Sequence, residues 1–109
     1  MNVDSWQSQL RKGAVELVVL AVLARQRAYG LQLLASVNAG DELVTEGGLY
    51  PLLARLEKAG RIAAEWESPE GGGNPRKYYV LTDDGRRLLA LMRQRWAAFR
   101  QTIDQLVEE

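Results

Sequence analysis

The stretch that most constrains the fold runs from Glu46 to Thr82, EGGLYPLLARLEKAGRIAAEWESPEGGGNPRKYYVLT. Leu49, Leu52, Leu53 and Leu56 recur at helical spacing, and Gly60 stands where a left-handed cap ends a helix. At about 100° per residue the face opposite those leucines carries Gly47, Pro51, Ala54 and Lys58, with Tyr50 and Arg55 on its shoulders. Small, polar and basic residues suit a groove rather than a core. Beyond Gly60, Ile62, Ala64 and Trp66 alternate with Ala63, Glu65 and Glu67. Tyr79 and Leu81 then alternate with Tyr78 and Val80. This is the period of a two-stranded hairpin. Its long tip, Ser68 to Pro75, contains Gly71, Gly72, Gly73 and Asn74, and Arg76 and Lys77 stand at the return. A helix with a polar front followed by a basic-tipped hairpin is the layout of a winged helix-turn-helix, with the helix in a major groove and the wing on the backbone.

The start of that helix contains a conflict. Thr45 is a good N-cap and Glu46 suits the first turn, yet Gly47 and Gly48 are poor helix formers and Pro51 lacks an amide proton. The expected boundary lies between Thr45 and Gly48, with a loose first turn and regular hydrogen bonding from near Gly48.

Around this unit the chain reads as mainly α. Ser5 to Gln26 predicts a helix with Trp6, Leu10, Ala14, Leu17 and Ala21 along one face, its second half apolar nearly all round and therefore central. Arg11 and Lys12 lie on its polar side, either as a solvated face or as phosphate contacts. Ala28 to Asn38 predicts the next helix, with Leu31, Leu34 and Ala35 buried and Gly40 ending it. Tyr29 and Gly30 open it, the tyrosine either offering its hydroxyl to a phosphate or packing at the core edge. Thr82 caps a last helix with Asp83 and Asp84 in its first turn. Along that helix Leu89, Met92, Trp96, Phe99, Ile103 and Leu106 are spaced as a heptad seam. About 26 residues give roughly 39 Å of helix, longer than a core this small covers. The seam therefore predicts a homodimer, the alternative being intramolecular packing on the first helix. Residues 1–109 form one expected domain, 5–82 the winged part and 83–109 the dimerisation helix.

Composition excludes several classes. With no cysteine and no histidine, thiol and imidazole chemistry and most zinc sites are ruled out, and no enzyme activity or cofactor is expected. Cysteine absence agrees with the cytoplasm. The apolar run Ala14 to Ala24, interrupted by Glu16, is shorter than a membrane span, and no signal peptide is expected. Net charge is +0, which argues against a general nucleic-acid coat, but its distribution is uneven. Residues 1–28 carry +2, 29–70 carry −4, 71–100 carry +5 and 101–109 carry −3. Positive charge gathers at the wing return and the last helix.

The run Gly48-Leu49-Tyr50-Pro51-Leu52-Leu53, then Arg55-Leu56-Glu57 and Gly60, then Arg76-Lys77-Tyr78-Tyr79 with Leu81-Thr82 and Gly85, resembles the PadR family of bacterial transcriptional regulators. The likeness extends upstream to Leu10, Gly13, Leu17 and Tyr29-Gly30. It departs at Leu31, where a second aromatic often stands, and at Gly48, where many relatives carry a hydroxyl residue. The resemblance implies a homodimeric regulator, a repressor in the reading adopted, binding double-stranded DNA at a pseudo-palindromic operator. Candidate DNA contacts are Lys12, Tyr29, Gly48, Tyr50, Pro51, Arg55, Lys58, Asn74, Arg76 and Lys77. In some members an aromatic residue of the last helix lines a cavity at the dimer centre that receives flat aromatic ligands. By that likeness Trp96, with Trp6, Met92 and Arg93, is the candidate site for an aromatic small-molecule effector, the alternative for Trp96 being dimer packing. The competing function is a winged-helix protein-interaction module without a DNA role.

Overall fold

A computed structural model describes residues 2–108. The elements in order are α1 (Val3–Arg25), β1 (Ala28–Tyr29), α2 (Gly30–Val37), α3 (Glu46–Lys58), β2 (Ile62–Glu67), β3 (Arg76–Leu81) and α4 (Asp83–Val107). The architecture is mainly α with a small β wing, as the periodicities predict. No helix among the described residues is long and apolar enough to cross a membrane.

The core forms where the apolar faces of all these elements meet. Val19, Leu20 and Leu23 of α1 pack with Leu33 and Val37 of α2, the four leucines of α3, Ile62, Tyr79, Leu81 and Leu89. α1 supplies the middle of this core only through its second half; Trp6 and Leu10 at its other end stay exposed.

Three expectations need correction. Tyr29 and Gly30 do open the second helix, as its N-cap and first residue, but Ala28 and Tyr29 are not helical. They form a short strand antiparallel to β3, pairing Ala28 with Tyr79 and Tyr29 with Tyr78, so the hairpin is part of a three-stranded sheet in the order β1-β3-β2. With the helix starting at Gly30, its buried face shifts to Leu33 and Val37, leaving Leu31 and Ala35 exposed. Leu31 and Leu33 differ by two positions, which puts them on opposite sides of a helix. Finally, Leu89 does not begin a partner-facing seam. It is buried in its own chain's core, and Met92 packs against that core, because α4 crosses α1 over these turns.

The link between α2 and α3 is fixed by Asn38. Its Nδ2 donates to the Val44 carbonyl at 2.8 Å, and its Oδ1 accepts from the Leu43 and Val44 amides at 2.9 and 3.2 Å. One side chain thereby satisfies three backbone groups of a turn that would otherwise leave them unpaired, and so sets where α3 begins. At the other end of the winged unit Thr82 does similar work. Its hydroxyl donates to the Gly60 carbonyl at 2.6 Å and accepts from the Gly85 amide at 3.0 Å, tying the end of α3 to the start of α4.

Candidate nucleic-acid interface

The front of α3 is laid out as its sequence predicts. Thr45 is the N-cap, its Oγ1 accepting from the Gly48 amide at 3.1 Å. Helical bonding begins at once, the Leu49 amide donating to the Thr45 carbonyl at 2.9 Å. The first turn is therefore regular rather than loose. Pro51 sits inside the helix, so the Gly47 carbonyl four residues back has no helical donor. Leu49, Leu52, Leu53 and Leu56 are buried, whereas Gly47, Gly48, Tyr50, Pro51, Ala54, Arg55 and Lys58 are exposed. The helix presents glycine, proline and two cations to its surroundings without any large apolar side chain other than Tyr50.

Tyr50 is braced from behind. Its ring lies over Gly30, so closely that a Cβ at that position would stand 2.3 Å from the Tyr50 hydroxyl oxygen. The first residue of α2 is thus the seat of a side chain on α3. Gly47 has the opposite environment: the nearest atom to a Cβ there is Thr45 Oγ1 at 3.9 Å. Nothing among the described residues fills the space a side chain at 47 would take.

Between α1 and the start of α3 runs an open groove of about 460 Å³, lined by residues including Arg11, Lys12, Val15, Gly48, Pro51 and Arg55. Lys12 and Arg55 of the candidate contacts are brought together here. Arg11 is engaged by Asp41, its Nη2 lying 3.1 and 3.2 Å from the two carboxylate oxygens. Arg55 is 4.0 Å from Glu16 and largely exposed, a contact of little energetic weight.

The wing separates two neighbours in the sequence. Register pairs Trp66 with Lys77 and Glu67 with Arg76. Because successive strand residues face opposite ways, Lys77 shares the inner face with Tyr79 and Leu81, and Arg76 the outer face with Tyr78. On the inner face Lys77 Nζ donates to Glu57 Oε1 of α3 at 3.0 Å and lies 5.2 Å from the Tyr79 ring centre. The hydrogen bond to Glu57 raises the Lys77 pKa above its ordinary value. Trp66 is on the same face but past the helices, and remains exposed.

On the outer face Tyr29 and Tyr78 meet edge to face, centroids 5.6 Å apart. Arg76 lies 4.7 Å over the Tyr29 ring and Arg27 4.2 Å over the Tyr78 ring. Arg27 bonds Glu65 at 3.2 Å and also Glu67, and these bonds, that to Glu67 first, raise its pKa. Arg76 makes no ion pair among the described residues and keeps its charge available. At the tip Gly71, Gly72 and Gly73 all have positive φ, a path that side chains would strain, and Asn74 follows them exposed. Sequence reasoning missed Glu57 and Arg27, whose partners lie elsewhere in the chain, and Asn38, whose partners are the amides and carbonyl of the turn that follows it; only the i to i+2 alternation of the wing hinted that Arg76 and Lys77 diverge.

Along α4 every residue from Arg93 to Glu108 is exposed, including Trp96, Phe99, Ile103 and Leu106. Trp96 is 41% exposed and Phe99 58%, an apolar row that the described residues leave largely uncovered. Trp6 of α1 is likewise exposed.

This arrangement recurs in solved structures. A crystallised PadR family transcriptional regulator from Eggerthella lenta is 36% identical, superposing with a TM-score of 0.85 over 97% of this chain and 92% of its own. A PadR-like transcriptional regulator from Bacillus cereus is 32% identical, with a TM-score of 0.83 over 93% and 98%. An uncharacterized protein from Lysinibacillus sphaericus is 27% identical over 105 residues, 94% of this chain and 95% of its own. The model of the PadR-like transcriptional regulator family matches residues 19–91, which span the last turns of α1, then α2, α3 and the three strands, and the first turns of α4. The chain is a member of the PadR-like family of transcriptional regulators, and as such a DNA-binding regulator.

Proposed function

We propose that the protein is a repressor that binds a pseudo-palindromic operator as a homodimer and is released by a flat aromatic effector. Residues 5–82 form the reading unit of each subunit and residues 83–109 the dimerisation helix. The observation that carries the DNA half of this reading is the exposed front of α3, where glycine, proline and cations stand free of the core beside a wing whose Arg76 makes no ion pair among the described residues. Gly48, Tyr50, Pro51, Arg55 and Lys58 meet the major groove; Lys12 and Tyr29 lie towards the flanking backbone, and Asn74 and Arg76 follow it along the wing. Such a regulator acts in the cytoplasm. Recovery of bound sequences from a random duplex pool tests the reading: an inverted repeat is expected, and a single unrepeated motif or no enrichment overturns it.

The uncovered apolar row from Trp96 to Leu106 supports the dimer, since exposed aromatics at heptad spacing are costly in water unless a partner buries them. In this reading the two Trp96 rings of the dimer sandwich the effector, with Met92 and Trp6 beside it and Arg93 at the rim, and the exposure of Trp96 and Trp6 supports the aromatic class. To act as an inducer the ligand must bind one spacing of the two reading helices better than the other. Quenching of tryptophan fluorescence by planar cationic or phenolic compounds is expected and is lost in Trp96→Ala; quenching that survives this substitution excludes the site. The alternative, a protein-interaction winged helix, is favoured by the net charge of +0. Saturable binding of duplex at low salt decides between them.

A further inference from the structure

Arg76 and Lys77 are adjacent, both basic and both at the wing return, so phosphate contact is the obvious role for each. The fold treats them differently. Arg76 points to the outer face, over an aromatic ring and without an acidic partner among the described residues. Lys77 points inward, where its Nζ is 3.0 Å from Glu57 and its side chain is two-thirds covered. Glu57 lies in the last turn of α3, the end of a helix where a carboxylate is disfavoured by the dipole. Arg55 and Lys58 share that turn, yet the cation that Glu57 bonds among the described residues is Lys77 of the wing. Among the described residues this is the one side-chain hydrogen bond that joins α3 to the wing.

We propose that Lys77 is a positioning residue that staples the wing to the recognition helix through Glu57, setting the angle between the two DNA-contacting elements and leaving phosphate neutralisation to Arg76. The role rests on the DNA-binding reading above. A cation that contacts phosphate displaces a counterion, so its loss reduces the salt dependence of binding; a cation spent on a carboxylate of its own chain displaces none. The two roles separate in one titration series.

Anisotropy titrations of the wild-type dimer and its variants on a duplex recovered by selection, at several salt concentrations, provide the test. Arg76→Met is expected to lower the slope of log affinity against log salt by about 1. Lys77→Met and Glu57→Gln are each expected to weaken binding by about fivefold with the slope unchanged. Combining Glu57→Lys with Lys77→Glu rebuilds the pair in reverse and is expected to recover affinity to within about twofold of wild type, after the logic of a double-mutant cycle. The role is overturned if Lys77→Met lowers the slope as Arg76→Met does, or if the charge exchange binds no better than the single variants. A wild-type protein that binds no duplex at low salt overturns the DNA reading itself and this role with it, an outcome distinct from the other two.

Discussion

Gly30→Ala places a methyl group where the Tyr50 ring already lies. The new Cβ would stand 2.3 Å from the hydroxyl oxygen and 2.8 Å from two ring carbons, so the ring must retreat by roughly 1 Å to reach ordinary contact. Gly30 has no positive φ, which leaves the backbone free to accept alanine and confines the conflict to the tyrosine. Because the clashing atoms are the far end of a side chain, Tyr50 swings off its seat instead of forcing α2 and α3 apart. Uncovering about a third of a ring of roughly 200 Å² at about 25 cal/mol/Å² costs about 1.5 kcal/mol, within the range for overpacking. For a chain of this size the expected fall in Tm is about 6 °C, with protomer concentration held fixed. DNA affinity falls as well, since a displaced Tyr50 no longer stands on the shoulder of the reading helix. Tyr50→Ala removes the obstacle, so Gly30→Ala added to it should be neutral within about 0.5 kcal/mol. Thermal unfolding of the four proteins measures the cycle. An equal cost of Gly30→Ala in both backgrounds would refute the claim that Gly30 exists to seat Tyr50.

Other substitutions probe other parts of the molecule. Gly47→Ala meets no side chain closer than 3.9 Å and replaces a poor helix former, so stability should rise by about 0.5 kcal/mol while operator affinity drops at least about tenfold; unchanged affinity would remove Gly47 from the contact face. Gly85→Ala puts its Cβ 2.0 Å from the Arg61 carbonyl oxygen, a backbone atom that cannot swing aside, and should cost about 3 kcal/mol or more in denaturant unfolding. Phe99→Glu with Ile103→Glu should yield a folded monomer in sedimentation velocity, whereas a persisting dimer would move the interface elsewhere. The Lys77 pKa is raised by folding, so its contribution is complete below the ordinary lysine value of about 10.4 and is lost as pH climbs through the folded value. Between pH 9 and pH 11.5 the wild type should therefore lose more stability than Lys77→Met, and equal losses would place the shift elsewhere.

Much of the fold follows from local sequence. The spacing of Leu49, Leu52, Leu53 and Leu56 defines α3 and its buried face, Thr45 caps it, and Gly60, at φ 77°, lies just past its end. Alternation from Ile62 and from Tyr78 marks the two long strands, the second of which the structure extends back to Arg76, and Thr82 caps α4. Each of these is a repeat or a cap within one element, where neighbours in sequence are also neighbours in space. The family motif is legible for the same reason, since most of it lies in the contiguous stretch from Gly48 to Gly85.

What the tertiary structure decided lies between elements. A two-residue strand such as Ala28–Tyr29 has no periodicity to detect and exists only because β3 passes beside it. Its pairing moves the start of α2, and packing of α2 against α1 and α3 selects Leu33 over Leu31 for the core. Leu89 fits the heptad seam as well as Trp96 does, yet Leu89 is buried in the core with α1 while Trp96 stays exposed. Lys77 and Arg76 are equivalent as letters, and only the pleat and the approach of Glu57 separate them. A side chain's partner depends on which distant segment folds against it, and that is fixed by packing of the whole chain rather than by any window of it.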